Sequence, residues 1–225
     1  MKIAGLCLFF SNAFFTVFPS CVYGQSTAQI KGVIRGPQSA VMAGVTLNLL
    51  SVERARTTKT DESGKFEFLD LPLSTYELQV RQAGFVQVPV QEISFSEPAV
   101  RQISIDLQLA ASECFPKTQA AYEDRSDKTN LVGNVVELSS PSSPVKNATL
   151  TAIHLKTGTT YVVNSNEKGD FQFVGLESGK YTLKVSHHEY SELAEIDFWI
   201  TRENLTRLPT AYMFRKNEHL VIVCQ

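Results

Sequence analysis

The sequence predicts an all-β chain of two tandem β-sandwich domains, and three observations carry that prediction. One pattern occurs twice: Thr60-Asp61-Glu62-Ser63-Gly64-Lys65-Phe66-Glu67-Phe68 returns as Ser165-Asn166-Glu167-Lys168-Gly169-Asp170-Phe171-Gln172-Phe173. Downstream, Leu71, Tyr76, Leu78, Val80 and Phe85 match Leu176, Tyr181, Leu183, Val185 and Tyr190 without a gap. A repeat of about 100 residues has the length of a domain, whereas solenoid units run to about 20–50. The second observation is strict alternation. Val45, Leu47 and Leu49 alternate with Thr46 and Asn48, Tyr76, Leu78 and Val80 with Glu77 and Gln79, and Tyr181, Leu183 and Val185 with Thr182 and Lys184. A period of two sends one set of side chains to a core and the other to water. Third, Asp61-Glu62-Ser63-Gly64 and Asn166-Glu167-Lys168-Gly169 each place Gly just before an aromatic strand, where a type I turn needs a left-handed residue. No stretch beyond the first residues keeps a helical apolar period.

The elements follow in order. Residues 1–24 read as a signal peptide: Lys2 precedes the apolar run Ile3 to Phe18, and Val22-Tyr23-Gly24 supplies a cleavage site before Gln25. Two other readings stay open, an uncleaved membrane anchor and a lipoprotein acylated at Cys21. All three export the protein, to the periplasm or beyond, and only the last two bring it into membrane contact. Residues 25–110 then form the first sandwich, 111–129 a polar linker with Pro116 and Glu123-Asp124-Arg125, and 130–215 the second sandwich. Residues 216–225 hold a last strand-like segment, His219 to Cys224.

Charge and cysteine content narrow the function. With 21 basic and 23 acidic residues and no run of either sign, the sequence offers no basic tract for nucleic acid or an anionic membrane. Cys114 and Cys224 each lie beyond one repeat and, in an oxidising compartment, form one disulfide in the simplest case. Two free thiols are the alternative. Neither has a second Cys or His at ligand spacing, so no metal site is expected there.

The residues of each copy carry a family resemblance. The first runs from Gly32-Val33-Ile34 through Ala43-Gly44-Val45-Thr46-Leu47 and the Asp61–Phe66 turn to Tyr76-Glu77-Leu78-Gln79-Val80 and Ala83-Gly84-Phe85. The second keeps Gly133, Gly169, Phe171, Phe173, Gly179-Lys180-Tyr181 and Tyr190, with Asn166 in place of Asp61 and Glu189 in place of Gly84. Each copy resembles a carboxypeptidase regulatory-like domain. The resemblance implies seven-stranded Greek-key sandwiches of transthyretin-like topology and a non-catalytic accessory role. Such modules are fused to exported peptidases or outer-membrane transport proteins or strung together at surfaces, and several related sandwiches bind carbohydrate. Every matched residue is a core or turn position, so the resemblance transfers a fold and no active site. The short leader with this domain type fits a bacterial envelope protein, in which Asn147-Ala148-Thr149 and Asn204-Leu205-Thr206 are chance sequons.

A search for chemistry leaves one candidate. His187-His188-Glu189 has zinc-peptidase residue types at the wrong spacing, His154 and His219 have no nucleophile motif beside them, and the turn acids are too few for calcium. No enzyme and no cofactor is expected. In Ala194-Glu195-Ile196-Asp197-Phe198-Trp199-Ile200, however, the only tryptophan shares a face with two acids. Trp199 with Glu195 and Asp197, joined by Tyr190 and His188, would stack on a sugar and accept its hydroxyls. The other reading has Trp199 covering the partner domain, the linker or the C-terminal strand. The first makes the chain a binding module for carbohydrate or an envelope protein; the second makes it a structural spacer with no small-molecule site.

Overall fold

A computed structural model describes residues 27–86, 88–110, 120–139, 143–191 and 195–216. Strands dominate, and among the described residues the only helical element is a 3-10 turn at Pro37–Ser39. The first sandwich comprises β1 (Ala28–Arg35), β2 (Thr46–Leu50), β3 (Ala55–Lys59), β4 (Lys65–Leu71), β5 (Thr75–Val80), β6 (Gln91–Ser94) and β7 (Val100–Asp106). They form a β4-β1-β7 sheet against a β3-β2-β5-β6 sheet, with β7 parallel to β1.

The second sandwich repeats this plan. It comprises β9 (Thr129–Glu137), β10 (Thr149–His154), β11 (Thr160–Asn164), β12 (Asp170–Val174), β13 (Gly179–Ser186) and β14 (Ile196–Ile200), followed by β15 (Asn204–Arg207) and β16 (Ala211–Met213). β15 and β16 both run parallel to β9 and together fill the place of β7, split around Pro209, which has no N–H to give a ladder. Within the span read as linker, β8 (Ala121–Asp124) pairs with β15 and adds an edge strand. The second sandwich is thus larger than seven strands.

The alternating residues do what period two demands. Val45, Leu47, Leu49, Phe66, Phe68, Tyr76 and Leu78 share one core cluster, and Leu150, Phe171, Phe173, Tyr181, Leu183 and Val185 another. The aromatic pairs after each turn pack edge to face, with centroids 6.3 Å apart for Phe66–Phe68 and 6.2 Å for Phe171–Phe173. The turns explain why Asn replaces Asp in the second copy. Asp61 Oδ1 accepts from the Ser63 and Lys65 amides, and Asn166 Oδ1 accepts from those of Lys168 and Asp170. The turn uses an oxygen acceptor, not a charge, and these oxygens are already engaged by backbone.

Alternation fails at Asn48, placed in water by its pattern but buried, as is Leu50 on the same face. Leu50 belongs to neither core cluster. What covers this outer face is the contact between the two sandwiches.

Candidate functional site

The seam is built from two turns. The β2–β3 turn closes on itself, with the Ser51 hydroxyl accepting from the Arg54 amide and donating to the Arg54 carbonyl. That leaves the Val52 and Glu53 carbonyls pointing outward. The Arg202 and Glu203 amides of the β14–β15 turn donate to them, each at 2.9 Å. Beside these, Asn204 Oδ1 accepts from the Ala55 amide at 2.8 Å. Asn204, Ala55 and Thr201 are all buried. The two domains therefore share backbone hydrogen bonds, as neighbouring elements of one fold do.

Ion pairs rim this contact. Arg202 grips Glu53 at 2.6 Å, and Arg54 reaches Asp124 at 3.3 Å and Glu203 at 3.4 Å. These side chains are half exposed or more, so each pair contributes about 0–1 kcal/mol and weakens with salt. Lys180 to Glu77, at 3.4 Å, is more enclosed, with the Glu77 side chain 11% exposed. Asn48 Nδ2 points at the Ala120 carbonyl, which brings the linker into the same contact.

Trp199 sits beside this seam. It lies on β14 directly opposite Lys180 on β13, the lysine that crosses to Glu77. Its indole N–H is buried and has no hydrogen-bond partner among the described residues. Its carbonyl accepts from the Thr206 hydroxyl, and its backbone also interacts with the Tyr122 phenol of β8. Burial there drives the Tyr122 pKa well above its ordinary range, and Glu77 and Arg81 of the first sandwich act on the same hydroxyl. Tyr122 escaped sequence reasoning because its neighbours Glu123 and Asp124 make the segment look like solvated linker.

The other residues proposed from sequence do not gather round the indole. Asp197 and Glu195 share its strand face, but Asp197 accepts from the Thr182 hydroxyl at 2.6 Å and Glu195 pairs with Lys184 at 2.8 Å. Tyr190 and His188 lie past Ser186, at the far end of β13. Lys180 and Ser186 are six residues apart, about 20 Å along a strand. Tyr190 is 5% exposed, and its hydroxyl donates to Glu137 at 2.9 Å. His188 is exposed beside His187 and Glu189. Cys114 and Cys224 lie outside the described residues. Among the described residues no three His, Cys, Asp or Glu side chains converge to hold a metal, and no helix is long and apolar enough to cross a membrane.

The Tyr190 end makes a structural cluster. Glu137 accepts from Ser139, Tyr190 and Arg215, and the guanidinium of Arg215 lies 5.4 Å from the Tyr190 ring centroid. The Ser139 hydroxyl first, then Tyr190, hold the Glu137 carboxyl below its ordinary pKa. A depressed carboxylate means that the unfolded chain takes up its proton at higher pH than the folded one. The stability this cluster supplies is present above the ordinary Glu pKa and lost as pH falls through the folded value. Glu137→Gln is therefore expected to lower the urea midpoint at pH 7, with the deficit shrinking by pH 3, measured as paired unfolding curves.

Residues 29–108 and 130–211 match the model of the carboxypeptidase regulatory-like domain, once per sandwich. The chain belongs to that family. No curated protein matches it. Among solved structures, the TIE protein of Bacillus anthracis aligns at 19% identity and a TM-score of 0.34, over 84% of this chain and 34% of that one. A streptococcal ancillary pilin aligns at 19% identity and a TM-score of 0.33, over 87% of this chain and 64% of that one. For the shaft pilin spaA from Lactobacillus rhamnosus GG the values are 10% and 0.32, over 86% of this chain and all of the other. The chain thus spans about a third of the first protein's length and just under two thirds of the second's. Most repeat-matched residues of the two regulatory-like domains, such as Phe66, Phe68, Tyr76, Phe171, Phe173 and Tyr181, lie in a core, and Gly64 and Gly169 lie in turns. Ala55, Glu77, Lys180 and Asn204 help join one domain to the other, and Asn48 and Tyr122 bring the linker into the contact.

Proposed function

We propose that this chain is a non-catalytic accessory protein of the cell envelope, exported by its leader, in which two regulatory-like domains work as one rigid spacer. The observation that carries this reading is the paired backbone bonding of Arg202 and Glu203 to Val52 and Glu53, closed by Asn204 on Ala55. Domains that move independently meet through polar side chains and water, and relative motion is their default. Backbone bonds flanked by buried side chains hold one orientation instead. The placement of Trp199 supports the spacer over a sugar platform, since the indole N–H is enclosed and both neighbouring acids have partners.

The test is nuclear magnetic relaxation of backbone amides across both domains. A rigid spacer gives β2 and β13 amides one shared rotational correlation time. Two distinct times would sink the proposal. A second measurement addresses the indole alone. Acrylamide is expected to quench Trp199 fluorescence several-fold less than free tryptophan, and neutral glycans to leave it unchanged. Quenching relieved by a glycan would return the chain to the carbohydrate-binding reading.

A further inference from the structure

Cations that are scattered in the sequence converge in the fold. Lys31, Arg35, Lys59 and Lys65 line a cleft of about 820 Å3 on the outer side of the first sandwich, with Asp61 and Glu67 as its acids. Both acids are engaged: Glu67 lies 3.8 Å from Lys31, and Asp61 accepts from the Ser63 hydroxyl and from two amides of its own turn. Lys59 and Lys65 form no salt bridge among the described residues, Lys65 only adding to the field around Asp61. The absence of a charged run in the sequence thus conceals a local excess of positive charge.

The second sandwich shows that the fold does not require these cations. Gly32 opposes Phe66 as Gly133 opposes Phe171, which aligns Lys31 with Val132 and Arg35 with Val136. The repeated turn aligns Lys59 with Asn164 and Lys65 with Asp170. The same strands and turns form with two valines, an asparagine and an aspartate in place of four cations. The cleft is a property of one copy, beyond what folding needs.

We propose that the outer face of the β4-β1-β7 sheet binds an acidic glycan, a sugar polymer carrying carboxylate, phosphate or sulfate groups. Between the cations lie the amide of Gln102 and the hydroxyls of Thr58 and Ser104, which suit a hydroxyl-rich chain. The centre of the cleft floor is β1, bonded on one side to β4 and on the other to β7, so a peptide strand could add only at the rim, on β4 or β7, and not along the floor. Exposed cations hold single anions weakly, and a polymer engages several together. This inference does not depend on the seam between the domains.

The experiment is calorimetric titration of the full chain with polygalacturonate, dextran and poly-L-glutamate at low and high salt. Polygalacturonate is expected to bind, to bind less at high salt, and to outcompete poly-L-glutamate, while dextran does not bind. The double variant Lys59→Gln/Lys65→Gln is expected to weaken polygalacturonate binding at least about tenfold. The pair Lys156→Gln/Lys168→Gln, exposed on the second sandwich, is expected to leave it unchanged. All four side chains are exposed, so circular dichroism should show both variants folded. Equal binding by the two variants, or binding to no polyanion, would overturn the site. Poly-L-glutamate binding as tightly as polygalacturonate would overturn the glycan and make the cleft a site for acidic protein.

Discussion

Replacing Asn204 with alanine is expected to loosen the contact between the two sandwiches while leaving each folded. Asn204 Oδ1 is the acceptor for the Ala55 amide across the seam, and both residues are buried, at 4% and 6% exposure. Truncation leaves that amide enclosed without a partner, a loss of about 1–3 kcal/mol. The half-exposed Arg202–Glu53 pair is worth about 0–1 kcal/mol, so Arg202→Ala should act more weakly. Salt separates the two effects. High salt should mimic Arg202→Ala, because it screens exposed charge, and should leave the Asn204 bond in place. The direct readout is hydrogen exchange at Ala55, slow in the parent and fast in Asn204→Ala. Core amides such as those of Leu47 and Leu183 should stay protected. An Ala55 amide that remains protected in the variant would show that other bonds set the domain orientation.

What the sequence displayed and what it hid divide along a physical line. Core and turn positions were legible because each is dictated within its own strand or hairpin: Leu47 and Leu49 by alternation, Gly64 by its turn, Phe66 and Phe68 by their shared face. The repeat strengthened every such inference, since the same local constraint was visible twice. The parity of β14 was legible too, with Phe198 and Ile200 inward and Asp197 outward. The seam was not, because its residues have no common period. Asn48 looks like an ordinary outward polar residue, Leu50 like the ragged end of a strand, and Asn204 like half of a sequon. Each acquires its role only when the β2–β3 turn meets the β14–β15 turn, residues separated by about two thirds of the chain. The candidate site suffered from the same blindness in reverse. Trp199, Glu195 and Asp197 share a face as the alternation says, yet the two acids are taken up by Lys184 and Thr182 of the neighbouring strand. Tyr190 and His188, close in sequence, sit at the opposite end of the hairpin.

Alanine at Gly169 is expected to unfold the second sandwich far more readily than alanine at Gly175. Both glycines have left-handed backbones, φ 76° and 75°. A side chain in that conformation costs about 1–2 kcal/mol in either place. Their surroundings differ. A Cβ at Gly175 would meet nothing within 4 Å, whereas one at Gly169 would drive into the Val135 carbonyl oxygen, with Pro144 at 3.2 Å. The Gly169 carbonyl meanwhile accepts from the Val135 amide at 2.8 Å, so the turn cannot retreat without breaking the bond that seats it on β9. Strain and collision together should cost about 3–4 kcal/mol, in the range reserved for such named defects. The first sandwich repeats the arrangement, with Gly64 at φ 72° facing the Ile34 carbonyl and bonded to the Ile34 amide, and Gly84 at φ 79° facing open space. Gly64→Ala should accordingly exceed Gly84→Ala by a similar margin, read as denaturant midpoints. Equal midpoints within each pair would mean that the left-handed turn alone explains the glycine. A larger loss at Gly169 and Gly64 would show that both copies keep glycine there because the turn must lie against the first strand of its own sandwich.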